Sequence, residues 1–268
     1  MSERASMNVE TASVAAHERW VSRPRPNADA ALRLFCFPYA GGRAAIYRSW
    51  PDFLPASVEV CAIEPPGHGA RLREPPVARL DSLVERLAAA AEPYLDRPFA
   101  FFGHSLGALV AFELTRHLRR LGRPMPVHLF VSGGAPPHLG VRASVRRLHD
   151  LPEDELVRML RLFNGTPREV LEHAELMQIM LPVLRADFAL GETHSYVPEP
   201  PLGCPIAAFG GTGDGYVNRR RLESWRDLTT GAFSLWMVPG DHFFIHTNQL
   251  LLLTILGREL RTELARIV

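Results

Sequence analysis

Apolar runs alternate with amphipathic segments along most of this chain. Short, continuous apolar runs predict buried strands, and apolar residues at helical spacing predict helices. The predicted strands are residues 32–37, 58–63, 99–102, 127–131, 206–209 and 233–238. The predicted helices are residues 79–94, 106–121 and 249–266. Strands that alternate with helices join into a mainly parallel sheet covered on both faces, so the pattern predicts an α/β fold.

The alternation is absent from two segments. Residues 1–29 show no clear periodicity and contain prolines and arginines towards their end, so we interpret them as a loosely ordered N-terminal tail. Residues 141–195 are largely helical in pattern, with breaks predicted at residues 164–167 and at Pro182. This helical block lies between two predicted strands. It is therefore an insertion within a single α/β domain, which we assign to residues 30–268.

Composition narrows the possible functions. The formal net charge of +1 gives no global electrostatic case for nucleic-acid binding. All 30 basic residues are arginine, which excludes mechanisms that need a Schiff-base lysine or a P-loop lysine. The apolar runs are too short to span a bilayer, and residues 1–20 lack the apolar stretch of a secretory signal. Three widely spaced cysteines favour a reduced, cytoplasmic setting, in which we expect Cys36, Cys61 and Cys204 to be buried.

A G-x-S-x-G motif stands between a predicted strand and a predicted helix. Residues 103–107 read Gly-His-Ser-Leu-Gly, directly after the strand at 99–102 and before the helix at 106–121. A nucleophile elbow needs this setting, because the serine must sit on a sharp, strained turn with its hydroxyl over the end of the sheet. Side chains at 103 and 107 would collide with the neighbouring strand and helix. Ser105 is therefore the predicted nucleophile; the alternative is an ordinary tight turn.

A serine hydroxyl needs a base, and the base needs a carboxylate to orient it. In this fold the order along the chain is serine, acid, histidine. His242 follows the strand at 233–238, and Asp214 follows the strand at 206–209, so we assign them as base and acid. The rival carboxylates are Asp241, whose position beside His242 gives poor geometry, and Asp187, which lies in the insertion.

His246 stands four residues after His242. The pair could suggest a metal site on a helix, but no Glu follows His242, so the H-E-x-x-H motif is absent. We interpret His246 as a structural or surface residue, and we predict no metal and no cofactor.

A tetrahedral oxyanion needs two hydrogen-bond donors. One is predicted to be the backbone N–H of Leu106, the residue after the nucleophile. The other is expected from residues 38–42, Pro-Tyr-Ala-Gly-Gly, which follow the first core strand and which we call the oxyanion loop. Ala40 is our choice within this loop, with Tyr39 next. The alternative is a glycine turn without a ligand role.

With these residues assigned, the chain resembles the type II, editing thioesterases of polyketide synthase and non-ribosomal peptide synthetase pathways, within the α/β-hydrolase superfamily. The resemblance extends over nearly everything from Trp20 onward. It rests on Asp214 and on LFCFPYAGG at 34–42, PGHGAR at 66–71, GHSLGA at 103–108, NGTP at 164–167, LPVLRAD at 181–187 and GDHFF at 240–244. Two positions differ from the family pattern, which commonly has Arg in place of His68 and Gly in place of Asp241.

The resemblance implies an α/β-hydrolase fold whose helical insertion, residues 141–195, is a lid over an acyl pocket. It implies hydrolysis of acyl groups from the phosphopantetheine arm of acyl or peptidyl carrier proteins, through an acyl-serine intermediate. The arm belongs to the substrate and is not a cofactor. The residues expected to bind substrate are Tyr39, Met159, Phe163, Met180, Leu184 and Phe243. For each of the lid residues, the alternative is simple packing of the lid onto the core.

Other readings remain open at this point. The chain could be an acyltransferase or an ester or lipid hydrolase of the same fold, or a non-catalytic partner that docks on a synthase. Carrier proteins are usually acidic, so Arg43, Arg48 or the arginines at 219–221 could receive one, although ordinary solvated surface is the stronger explanation because arginine is frequent throughout this chain. We expect a monomer, with no membrane and no nucleic-acid partner.

Overall fold

A computed structural model describes residues 19–140, 146–163, 165 and 168–267. Its centre is a seven-stranded sheet with the order β1-β3-β2-β4-β5-β6-β7, in which β1 alone of the described strands runs antiparallel to its neighbour. The strands are β1 (Val21–Ser22), β2 (Leu32–Phe37), β3 (Val58–Ile63), β4 (Phe99–His104), β5 (His128–Ser132), β6 (Ile206–Gly211) and β7 (Phe233–Val238). The predicted mainly parallel α/β sheet is confirmed.

Helices lie on both faces of the sheet and in the insertion. They are α1 (Leu80–Ala91), α2 (Leu106–Arg120), α3 (Glu153–Phe163), α4 (Arg168–Leu171), α5 (Ala174–Glu192), α6 (Arg219–Glu223), α7 (Phe244–Thr247) and α8 (Gln249–Ile267). Helices α3, α4 and α5 stand between β5 and β6, so the helical insertion lies where it was predicted. No helix in the described part of the chain is both long and apolar enough to cross a membrane.

Successive side chains of each strand enter two different cores. On β4, Phe101 packs with the apolar faces of α1 and α2, whereas Phe102 packs with α8 and with Tyr47 and Trp50. This division follows from the twofold periodicity of a strand, whose neighbouring side chains point to opposite faces. Both faces of the central strands are covered, which is why these strands read as continuous apolar runs.

Two sequence predictions were wrong in detail. The sheet begins inside the segment assigned to a loose tail, because Val21 and Ser22 pair with Ile63 and Ala62 of β3. Residues 1–18 lie outside the described part. Helix α5 also continues through Pro182 for a length of 19 residues. A proline removes one helical hydrogen bond, but the buried side chains on either side of it, such as Leu181 and Leu184, anchor the helix to the core of the insertion.

Candidate active site

Ser105 occupies a strained turn between β4 and α2. Its φ of 55° is the only positive value among the described non-glycine residues. Glycines make this turn possible: a Cβ on Gly103 would lie 2.0 Å from the carbonyl oxygen of Gly107, and a Cβ on Gly107 would lie 2.1 Å from that of Phe37. Real Cβ atoms do not approach backbone so closely, so the two glycines are needed for the serine to reach this position.

The three side chains predicted to act together form one hydrogen-bonded chain. His242 Nδ1 lies 2.8 Å from Asp214 Oδ2, and His242 Nε2 lies 3.0 Å from Ser105 Oγ. A carboxylate only accepts hydrogen bonds, so Nδ1 carries the proton and Nε2 is free to accept from the serine hydroxyl. The acid follows β6 and the base follows β7. The carboxyl ends of parallel strands meet at one edge of the sheet, which explains how residues distant in sequence converge.

Asp214 is held in its ionised form. Burial alone would raise the pKa of this carboxyl group. The hydrogen bond from His242 and the backbone N–H groups of Tyr216 and Val217 outweigh that effect, so the pKa of Asp214 is lowered. The ionised acid fixes the tautomer of His242 and can stabilise a positive charge on its ring.

His104, one residue before the serine, holds the backbone of His242 through a hydrogen bond. Its Nε2 lies 3.0 Å from the backbone oxygen of His242, and its Nδ1 lies 2.9 Å from Ser132 Oγ. The carbonyl can only accept, so Nε2 carries the proton and Nδ1 accepts from the Ser132 hydroxyl. Burial, together with the nearby His242 ring, keeps the pKa of His104 well below its usual value, so the ring is neutral.

A cavity of about 360 Å³ opens directly above Ser105 and His242. Of the residues predicted to bind substrate, Tyr39, Phe163, Leu184 and Phe243 line it. Met180 lines a neighbouring groove between α5 and the oxyanion loop. Met159 lines neither this cavity nor that groove, and it packs instead against the hydrophobic cluster of the insertion, so the structure does not support its assignment to the pocket.

Ala40 and Leu106, the predicted oxyanion donors, both line the cavity beside Ser105. Leu106 is the first residue of α2, and the backbone N–H groups of a first helical turn have no acceptor within the helix. Such an N–H is available to a ligand, and the positive end of the helix dipole favours negative charge there.

The rivals considered from sequence have other partners. His246 Nε2 lies 2.8 Å from the hydroxyl of Tyr39, and Asp241 Oδ1 accepts the backbone N–H of Phe243. Asp187 lies on α5 and contacts the oxyanion loop instead of His242. Within the described residues, no group of three or more His, Cys, Asp or Glu side chains is placed to hold a metal ion.

Tyr216 belongs to the site but was not predicted. Its ring packs edge-on against His242, with centroids 5.7 Å apart, and against Phe163 of the insertion at 5.0 Å. Its hydroxyl lies 3.4 Å from the backbone oxygen of Leu162. It therefore joins the loop that carries Asp214 to the helical insertion. Its place two residues after Asp214 was the signal that could have identified it.

A strained serine between strand and helix, a histidine after the last strand and an acid after the strand before it define a serine hydrolase of the α/β-hydrolase fold. The thioesterase-domain family model matches residues 32–259. The chain therefore belongs to the thioesterase family, and it is a thioester hydrolase.

Relatives within this family match this chain over almost its full length. The gramicidin S biosynthesis protein GrsT of Aneurinibacillus migulanus is 43% identical over 247 residues, which are 92% of this chain and 96% of that protein. The RedJ thioesterase from the prodiginine biosynthetic pathway of Streptomyces coelicolor superposes with a TM-score of 0.82 at 41% identity, covering 89% of this chain and 94% of RedJ. BorB, a type II thioesterase from the borrelidin biosynthetic cluster, superposes with a TM-score of 0.80 at 33% identity, covering 90% and 97%.

Proposed function

We propose that this thioester hydrolase is an editing thioesterase that removes acyl groups from the phosphopantetheine arms of carrier proteins in polyketide or non-ribosomal peptide biosynthesis. The observation that carries the proposal is the hydrogen-bonded chain from Ser105 through His242 to Asp214, placed at the floor of a cavity of about 360 Å³. The similarity to proteins of gramicidin S, prodiginine and borrelidin biosynthesis supports the pathway class.

Acylation begins when His242 Nε2 takes the proton of the Ser105 hydroxyl and Oγ attacks the thioester carbonyl carbon. The carbonyl oxygen becomes an oxyanion, which the N–H groups of Ala40 and Leu106 stabilise. The carbon–sulfur bond then breaks, and the pantetheine sulfur leaves as a thiol with the proton from His242. The products of this half-reaction are acyl-Ser105 and the free carrier thiol.

Deacylation repeats the same steps with water. His242 removes a proton from water, the hydroxide attacks the acyl-serine carbonyl, and the same two N–H groups hold the second oxyanion. The carbon–oxygen bond to Ser105 breaks, and Oγ recovers its proton from His242. Over both steps, thioester and water become carboxylic acid and thiol, and Asp214 stays ionised throughout.

The cavity and the adjoining groove suit the two parts of the substrate. The cavity walls are mainly apolar and suit an acyl chain. The groove meets the cavity at Tyr39, Ala40 and Leu184, and its rim carries the exposed Arg43. We expect the pantetheine arm to enter along this groove and an acidic carrier to approach Arg43. Arg219 by contrast pairs with Glu223.

A panel of acyl groups on a carrier protein tests the proposal, with the same acyl groups on a free small thiol for comparison. We expect faster hydrolysis of the carrier-bound thioesters and no turnover by Ser105→Ala. Transfer to an added alcohol or amine in preference to water would indicate an acyltransferase. Preference for oxygen esters would indicate an ester hydrolase, and failure of a serine-reactive phosphonate to label Ser105 would indicate a non-catalytic docking partner.

A further inference from the structure

A buried carboxylate that the mechanism does not use contacts the oxyanion loop. Asp187, on α5, is 5% exposed. Its Oδ2 accepts the backbone N–H of Gly41 at 2.7 Å and faces Nε2 of His68 at 2.9 Å. Gly41 directly follows Ala40, so this carboxylate fixes the peptide next to a proposed oxyanion donor. Gly41 has a φ of +76°, and a Cβ there would lie 2.7 Å from Leu184 Cδ2, so the loop is pressed closely against α5.

The hydrogen bonds of His68 require a charged ring. Nδ1 lies 3.1 Å from the backbone oxygen of Pro66, and Nε2 lies 2.9 Å from Asp187 Oδ2. Both partners can only accept. A neutral imidazole has a single N–H, so it would turn a lone pair towards either the carbonyl or the carboxylate. Only the imidazolium donates to both.

A second carboxylate holds the chain just beyond the oxyanion loop. Oε1 of Glu64, at the end of β3, accepts the backbone N–H of Ala44 at 3.2 Å. Glu64 is buried against the turn that carries His68, since a Cβ on Gly69 would lie 2.2 Å from its Oε2. The segment from Gly41 to Ala44 is therefore bonded at both ends to carboxylates of neighbouring elements. The His68 ring is hydrogen-bonded to one of them, Asp187, and is influenced by the charge of the other, Glu64.

We propose that Asp187 is a positioning residue for thioester hydrolysis: it holds the oxyanion loop through the Gly41 N–H and is itself oriented by a charged His68 ring. This inference rests on the proposed function, because the loop supplies a donor only if Ser105 attacks an acyl carbonyl. When His68 loses its proton, the attraction between its charge and Asp187 is lost, together with one of its two hydrogen bonds, and the oxyanion loop is held less firmly.

The charged neighbours of His68 favour its protonated form. Burial lowers the pKa of this ring, but the hydrogen bond and charge of Asp187, the Pro66 carbonyl and the charge of Glu64 outweigh it, so the pKa is raised above 6.5. Arg43 acts on Glu64 from the oxyanion-loop side, and Arg71 is bound to Glu74 and to the backbone of Glu64. Because the folded-state pKa is raised, the contribution of the ion pair is present at lower pH and is lost as pH rises through that pKa.

Substitutions at His68 and Asp187 test the proposal, with kcat and KM measured on a carrier-bound acyl thioester from about pH 6 to about pH 10. We expect the kcat of the unmodified protein to fall at the alkaline end. His68→Arg keeps its charge at every pH, so its kcat should stay level there. His68 lines the groove between α5 and the oxyanion loop, which gives room for the longer side chain. His68→Gln should be slow at all pH values. Asp187→Ala should lower kcat by about tenfold to 100-fold with little change in KM.

A remote buried pair of the same residue types, a histidine and a carboxylate, provides the control for a purely structural role. His128 on β5 and Glu263 on α8 are both buried, with Nδ1 and Oε1 3.0 Å apart. His128→Gln should destabilise the fold without changing the pH dependence of kcat. A purely structural role for His68 would make the two glutamine variants alike. If Asp187→Ala does not fold, the comparison of His68→Arg with His68→Gln decides the question.

The outcomes separate the inference from the proposed function. If Ser105→Ala is inactive while the His68 and Asp187 variants behave as the unmodified protein does, the positioning role is refuted and the hydrolase stands. An alkaline fall that persists in His68→Arg refutes it equally. Turnover by Ser105→Ala would overturn the proposed function itself.

Discussion

Asp214 divides its two carboxylate oxygens between His242 and the backbone. Oδ2 lies 2.8 Å from Nδ1 of His242, while Oδ1 accepts the backbone N–H groups of Tyr216 at 2.7 Å and Val217 at 3.1 Å. The turn after β6 thus holds the carboxylate in one orientation, and that orientation sets the histidine tautomer. Structural and catalytic tasks fall on different atoms of one side chain, so they can be separated by mutation.

Asp214→Asn should leave the fold intact and remove most activity. The amide oxygen can still accept the N–H groups of Tyr216 and Val217. The amide NH₂ then faces His242, which moves the ring proton to Nε2 and prevents it from accepting the proton of Ser105. We expect kcat to fall by about 10⁴-fold, as in other serine hydrolases, with an unchanged unfolding midpoint. A loss smaller than about tenfold would contradict the role of Asp214 as orienting acid.

Periodicity and motif spacing were enough to predict six of the seven described strands and the three hydrogen-bonded residues. Strands such as Phe99–His104 are buried throughout because both faces of the sheet are covered, and the apolar run that this produces at residues 99–102 is local in the sequence. The elbow was predictable because its glycines are required within a few residues of Ser105. Asp214 and His242 followed from their places after two consecutive strands, since parallel strands bring those ends together.

The contacts made by the helical insertion could not be predicted from the sequence pattern. Helical spacing shows that Met159 and Leu184 lie on helices, but the docking of those helices decides which of them faces the cavity. Asp187 was weighed only as a rival acid, because its partners Gly41 and His68 are 146 and 119 residues away along the chain. Pro182 predicted a break, yet the packing of α5 outweighed the loss of one backbone hydrogen bond.

Because α2 approaches β2 closely, we expect Gly107→Ala to destabilise the fold strongly. The added Cβ would lie 2.1 Å from the backbone oxygen of Phe37, and backbone of a central strand cannot move aside cheaply. We expect the free energy of unfolding to fall by at least about 2 kcal/mol, measured by urea denaturation. Gly203→Ala is the matched control, since a Cβ there meets nothing within 4 Å. Equal stability of the two variants would show that the elbow is not as tight as described.

Because of His104, we expect the free energy of unfolding to be smaller at acid pH. Its pKa is lowered in the folded protein by burial and by the nearby His242 ring, so the unfolded chain binds the proton more readily. The stabilisation is present above pH 6.5 and is lost as pH falls below it. Urea denaturation at about pH 7 and about pH 5 should therefore show a smaller loss of stability for His104→Gln than for the unmodified protein. An identical loss for both would mean that His104 contributes nothing to acid sensitivity.

If the cavity above Ser105 binds the acyl chain, a side chain that partly fills it should restrict the enzyme to shorter acyl chains. Leu109 projects from α2 into the cavity wall, some distance along the helix from the nucleophile. Leu109→Trp should take up space that a long chain needs while leaving room near Ser105 for an acetyl group. We expect kcat/KM for medium-length acyl thioesters to fall by at least about tenfold and that for acetyl thioester to change by less than about threefold. Leu121→Trp is the control, because Leu121 is 55% exposed and does not line the cavity. A uniform loss across all chain lengths would indicate damage to the triad, and no change at all would place the acyl chain outside this cavity.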